Sequence, residues 1–204
     1  MSSGSSSARP RASGQPRLQP LPIDEVDPRV RALVEHPDVA ASPARNVYLT
    51  FGRHPGLLAK WSPFAGKLLV GRLPARDREL LILRSSLLSS CEYEWGHHVL
   101  LGEKAGIGSD DVEAVAEGPG SAHWSEQEAA LLTAADELHD AAEMTDETWK
   151  TLAQAYDESQ LIEIPLVVGQ YMMLSFLLNT LRVEREPGVP GFDQLPIETR
   201  PAVR

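Results

Sequence analysis

Residues 73–98 read Leu-Pro-Ala-Arg-Asp-Arg-Glu-Leu-Leu-Ile-Leu-Arg-Ser-Ser-Leu-Leu-Ser-Ser-Cys-Glu-Tyr-Glu-Trp-Gly-His-His. The fold is decided here. Leu73-Pro74 opens a helix, with Asp77 and Glu79 near its positive end. The helix carries Leu80, Leu83 and Leu87 at helical spacing and weakens at Ser89-Ser90. A second helix starts near Cys91 and stops at Gly106, a residue suited to a left-handed C-cap. The serine pair lets the chain fold back, so the two helices can share a site.

Working outward, the pattern stays helical. Short helices are expected from about Asp27 to Glu35 and from Pro43 to Phe51. Pro55 heads a longer one whose stripe is Leu57, Leu58, Trp61, Phe64, Leu68 and Leu69. Ser109, Ser125 and Thr145 are the expected N-caps downstream, and Ser125 has Glu128 at the capping-box spacing. Asp157 and Gln160 start a last helix rich in Leu, Ile and Val through Leu178. No run of alternating β-branched residues is bounded by turns. The expectation is one all-α domain over residues 24–185, between a disordered tail at 1–23 and an irregular tail at 186–204.

Charge and composition exclude several functions. The chain has 19 Lys+Arg against 29 Asp+Glu. Arg9, Arg11 and Arg17 lie in a leading stretch without acids, which leaves 16 bases against 29 acids in the rest. Such a surface repels phosphate backbones, so no nucleic-acid partner is expected. One cysteine excludes an internal disulfide framework and a zinc site built on several thiolates. The most membrane-like stretch, Ile164 to Leu178, has 15 residues with Pro165 and Gln170 inside. A bilayer needs about 20, so a buried helix in a soluble, cytoplasmic protein is the expectation, with no membrane partner. That helix is apolar nearly all round, which points either to a central core helix or to a homo-oligomer; the limited size of the domain favours the oligomer.

Three groups at one helix face carry the chemistry. At 100° per residue, Cys91, Glu94 and His98 fall at about 0°, 300° and 340°, with Trp95 beside them and His97 turned away. A purely structural stripe would hold Leu, Ile or Ala, because buried polar groups cost free energy unless paired. Glu79, beside an apolar face of the preceding helix, either relays protons with His98 or serves only the helix dipole. Tyr93 and Trp95 are candidate substrate contacts. Arg84 is either an anchor for an anionic substrate or half of a structural ion pair. Glu94-Trp95-Gly96-His97 has the Glu-x-x-His spacing of a di-iron bundle, but no second copy exists, so no metal site is expected. His36, His54, His123 and His139 have no companion motif, and Glu163 is expected to be paired structurally. Phosphate loops, nucleophile elbows and dinucleotide fingerprints are absent.

These residues resemble the carboxymuconolactone decarboxylase and alkylhydroperoxidase D-like superfamily over roughly Asn46 to Glu184. The likeness rests on Leu73-Pro74 before Arg78-Glu79-Leu80, the step from Glu79 to Cys91, the run Cys91 to Trp95 with His98, and Val168-Gly169-Gln170-Tyr171. It implies an all-helical fold that assembles as trimers or hexamers. In the peroxidase branch the pattern is Glu, then Cys-x-x-Cys-x-x-x-His; here Glu79, Cys91 and His98 match, but Glu94 stands at the second cysteine. A disulfide cycle within the chain needs two thiols. The likeness therefore implies a cofactor-independent lyase or isomerase, with Glu94 and His98 as acid and base and a small organic acid or lactone as substrate. A one-Cys hydroperoxide reductase using Cys91 with an external thiol and a non-catalytic oligomeric binding protein are the alternatives.

Overall fold

A computed structural model of the chain describes residues 15–36 and 44–201, and among these the regular structure is entirely helical. The helices are α1 Pro28–Val34, α2 Asn46–Phe51, α3 Pro55–Leu69, α4 Ala75–Leu88, α5 Glu92–Lys104, α6 Ser109–Glu117, α7 Glu126–Ala141, α8 Asp146–Ala155 and α9 Glu158–Leu181. Two 3-10 turns, Phe192–Gln194 and Ile197–Thr199, follow.

Local chemistry sets the ends. Asp27 and His54 cap α1 and α3, each with proline next in the chain. Ser125, Thr145 and Asp157 cap α7, α8 and α9 through their side chains, and Ser125–Glu128 and Asp157–Gln160 close reciprocal capping boxes. Ser109 is not a cap: Gly108 takes that place, its N–H donating to Asp111. A side chain three residues into the helix does the capping there, so no Ser or Thr is needed.

The centre of the molecule is α4. Leu80, Leu81, Ile82 and Leu83 are consecutive and all wholly buried, which happens only when neighbours surround a helix. α5, α7 and α9 pack against it. The chain turns from α4 into α5 through Ser90, held in the left-handed region at φ 48° while Cys91 N–H reaches back to Ser86 O at 2.8 Å. This sharp turn lays α5 against α4 and brings Glu79 beside His98.

The last helix is enclosed on one face only. α9 has 24 residues and meets the length and hydropathy of a membrane span, yet half of its apolar window is buried within this chain. Leu161, Ile164, Val167, Val168, Tyr171, Leu174 and Leu178 form the buried face. Ile162, Leu166, Met173 and Phe176 form an exposed ridge. Among the described residues α4, and not α9, is the enclosed helix.

Residues 15–23 and 186–201 are more ordered than their composition suggested. Arg17 N–H donates to Leu181 O, and the Arg53 guanidinium donates to Gln19 O, so the packed chain begins before residue 23. The rest of the expected N-terminal tail and residue 43 of the second expected helix lie outside the described residues. Segment 186–201 has little regular structure, but Val189, Phe192 and Leu195 are buried, Phe192 against Trp95 with ring centres 5.5 Å apart. Gly96 makes this close packing possible: a Cβ there would collide with Pro190 O and the Val189 side chain.

Candidate active site

A cavity of about 490 Å³ opens between α2, α3, α5 and α9. Its walls are mostly apolar and aromatic (Val47, Tyr48, Trp61, Leu69, Leu101, Leu174), and Glu94, His97, His98 and Gln170 supply polar groups. This combination, in this size range, is typical of a small-molecule site.

His98 lies at the centre of the polar side. Its Nδ1 is 2.6 Å from Glu79 Oε2, and its Nε2 is 3.6 Å from Glu94 Oε2. Tyr171 meets the imidazole edge-on at 4.8 Å. All three acid–base groups are buried. Burial alone would lower the His98 pKa, but the Glu79 and Glu94 carboxylates outweigh it and hold it above the ordinary histidine value. Burial pushes the Glu79 carboxyl up, yet His98 and Arg78, whose Nε is 3.3 Å away, together keep it below the ordinary value. Glu94 goes the other way. Burial raises it, the two histidines oppose that only in part, and Glu186 and Glu79 add to the rise. Two like residues on either side of one imidazole are thus driven apart, Glu79 towards the carboxylate and Glu94 towards the acid. Environments that separate the pKa values of two carboxyls in this way assign them different roles.

A second imidazole–carboxylate pair lies next to the first. His97 Nε2 is 2.7 Å from Glu186 Oε2, and the Tyr93 hydroxyl donates to Glu186 Oε1 at 3.0 Å while accepting from Val47 N–H. The same Glu186 oxygen takes the backbone N–H groups of Arg45 and Asn46, each at 2.7 Å. His97 and Asn46 outweigh burial and keep the Glu186 carboxyl below its ordinary value. Sequence reasoning missed this pair. Helix periodicity turned His97 away from Cys91, which is true, but it could not show that another segment meets it there.

Of the residues expected at the site, Glu79, Glu94, His98 and Tyr93 come together. Cys91 does not line the cavity; its fully buried side chain packs with Val47, Tyr93, Leu174 and Leu178. Trp95 points into the core against Phe192. Arg84 lies elsewhere, its Nε and Nη2 on the two Asp136 oxygens at 2.6 and 2.8 Å and its Nη1 on Val115 O. Glu163 accepts the N–H groups of Arg72 and Leu73, capping the approach to α4. Among the described residues, no group of three or more His, Cys, Asp or Glu side chains is arranged to hold a metal ion.

The family model of the carboxymuconolactone decarboxylase family matches residues 55–137, which include Glu79, Cys91, Glu94 and His98. No curated protein sequence matches the chain. Similar solved structures include an uncharacterized peroxidase-related protein from Ralstonia eutropha JMP134, described as an alkylhydroperoxidase AhpD core. It has a TM-score of 0.73 at 18% identity, covering 85% of this chain and 95% of that one. A peroxidase-related protein from Silicibacter sp. TM1040 gives 0.71 at 14%, covering 90% and 97%. The debrominase Bmp8 gives 0.70 at 19%, covering 83% and 92%, and a cysteine-to-alanine variant of it was solved in complex with 2,3,4-tribromopyrrole. Residues 55–137, across α3 to α7, are thus similar to the carboxymuconolactone decarboxylase family, and the helical architecture is similar to that of the alkylhydroperoxidase D-like structures.

Proposed function

We propose that the protein is a cofactor-independent acid–base enzyme, decarboxylase-like, that decarboxylates or isomerises a small organic acid or lactone. One observation carries this reading: His98 is held at Nδ1 by Glu79 while its Nε2 and the Glu94 carboxyl stand 3.6 Å apart at the wall of an apolar cavity. Glu79 fixes the ring and its tautomer. Glu94 and His98 Nε2 then work with a single proton between them, one group removing a proton from the substrate and the other delivering one. A dry pocket strengthens both interactions. The fold likeness to a debrominase solved with a small halogenated ring supports a ring-sized substrate. In this reading the protein acts as a homo-oligomer in the cytoplasm.

The runner-up, a one-Cys hydroperoxide reductase, needs peroxide to reach Cys91, whose side chain is fully buried. Three variants separate the readings. Acid–base chemistry predicts that Cys91→Ser keeps most turnover while Glu94→Gln and His98→Gln lose about 10²–10⁴-fold. A dead Cys91→Ser variant, with peroxide-dependent sulfenate at Cys91 in the parent, would replace this proposal with the reductase.

A further inference from the structure

We propose that His97 holds the substrate, its Nδ1 accepting a hydrogen bond from a substrate hydroxyl, so that the cavity takes a hydroxylated compound of the enol or phenol type. The inference rests on the reading of this cavity as the substrate site and names a group the substrate must carry. His97 lines the cavity and is 4% exposed. Among the described residues its Nδ1 is buried without a hydrogen-bond partner. The other two imidazoles on the cavity differ. His98 is engaged by Glu79 at Nδ1 and faces Glu94 at Nε2, while His36 is exposed, where water can serve it.

The contact at the opposite nitrogen decides what Nδ1 can do. Glu186 Oε2 is 2.7 Å from Nε2, and a carboxylate can only accept, so Nε2 carries a proton. The other Glu186 oxygen takes the backbone N–H groups of Arg45 and Asn46 and the Tyr93 hydroxyl. These donors already stabilise the carboxylate, which needs no imidazolium beside it. A neutral imidazole with its proton on Nε2 has a lone pair on Nδ1. Tyr93 packs against the ring, with ring centres 4.5 Å apart, and resists the flip that would exchange the two nitrogens. The result is an acceptor of fixed direction in a mostly apolar wall.

A buried lone pair costs free energy until a donor meets it, and the ligand must supply that donor. A hydroxyl does so and leaves its oxygen free to accept. That suits Trp61 Nε1, a donor-only atom on the same cavity that is also buried without a partner. An N–H group would serve His97 alone. A hydroxyl on an unsaturated carbon is a stronger donor than an alcohol, and its flat skeleton fits walls made by Tyr48, Trp61 and Tyr93. Enols and phenols combine these properties. Glu94 lies one helical turn before both His97 and His98, so a ligand held at His97 is within reach of the acid–base pair.

Nuclear magnetic resonance of the whole protein, labelled with nitrogen-15 in its histidines and held at pH 7.5, reads which ring nitrogens carry protons. His97 should show a proton on Nε2 and none on Nδ1. Titration with 4-ethylphenol and with its methyl ether, 4-ethylanisole, then tests the contact. Burial alone ranks the ether first, because it is the more apolar. The phenol should nevertheless bind about fivefold more tightly, the return of one hydrogen bond, and should displace the Nδ1 signal. In His97→Phe the preference should vanish, and Glu186→Ala, which frees the ring, should mix the two tautomers and weaken the phenol alone. A proton on His97 Nδ1 in the parent, an ether that binds as well as the phenol, a phenol that leaves Nδ1 unmoved, or no binding of either would overturn the proposal. If His97→Phe does not fold, the spectra of the parent still decide. These readings are separate from the turnover of His98→Gln, so the acid–base reading can stand or fall independently.

Discussion

A buried imidazole with a carboxyl group at each nitrogen is stable only because charges offset one another; either partner alone would leave an unpaired group in a low-dielectric pocket. Replacing Glu79 by Gln removes the charge that raises His98. Activity should follow a bell in pH, because the Glu94–His98 pair works with one shared proton. In Glu79→Gln the alkaline limb, where that proton is lost, should move to lower pH. A limb that stays in place would show that Glu79 does not tune His98. The same substitution has a signature in stability. The raised His98 contributes below its ordinary value of about 6.5 and loses that contribution as pH rises through the folded value. The lowered Glu79 contributes above about 4.5 and loses it as pH falls. The melting-temperature gap between parent and Glu79→Gln should therefore be widest between these two values and shrink on either side. Glu79, Glu94 and His98 were legible in the sequence because they lie within 20 residues on two consecutive helices, where periodicity fixes faces. Glu186 was not, since it lies 89 residues from His97 in a proline-rich segment with no period to read. Cys91 shares their stripe, yet at the N-cap position before α5 its side chain packs with Leu174 and Leu178 of α9.

At the scale of elements, α5 is held from both sides, by α4 through the Ser90 turn and by the C-terminal segment across Gly96. Adding one methyl at Gly96 would push Pro190 and Val189 away and loosen Glu186 on His97. Gly96→Ala should cost about 1–3 kcal/mol, the usual range for overpacking, readable in denaturant unfolding. A stability equal to the parent would mean that the segment is not packed on α5. In α4, Leu81 is wholly buried, and Leu81→Ala should cost about 2–5 kcal/mol. The helices, their caps and their order could be read from spacing and from Ser, Thr, Asp and Pro at their starts. The identity of the enclosed helix could not. α4 carries Arg76, Arg78, Glu79 and Arg84 among its leucines and reads as amphipathic, yet Arg76 is absorbed by Asp111 and Glu128, Arg84 by Asp136, and Glu79 by His98, all on other elements. Pairing across 35 to 52 residues, as for Arg76 and Arg84, leaves no local pattern.

For the whole molecule, the ridge of Ile162, Leu166, Met173 and Phe176 along α9 is a run of exposed apolar side chains, more than isolated surface residues would give. It is the surface on which the proposed homo-oligomer would pack. Light scattering at micromolar concentration should give a trimer, hexamer or other multimer, and Ile162→Asp with Phe176→Asp should reduce it to the mass of one chain without unfolding it. A parent that is strictly monomeric would contradict the proposed assembly. The assembled particle is also the form in which the catalytic assignment should be measured. His98→Gln, assayed for both melting temperature and turnover per folded molecule on a substrate of the parent, tests the central claim most directly. Acid–base catalysis predicts a loss of about 10²–10⁴-fold in turnover, while an inert buried pair of Glu94 and His98 predicts a lower melting temperature with turnover unchanged, and that second result would contradict the account.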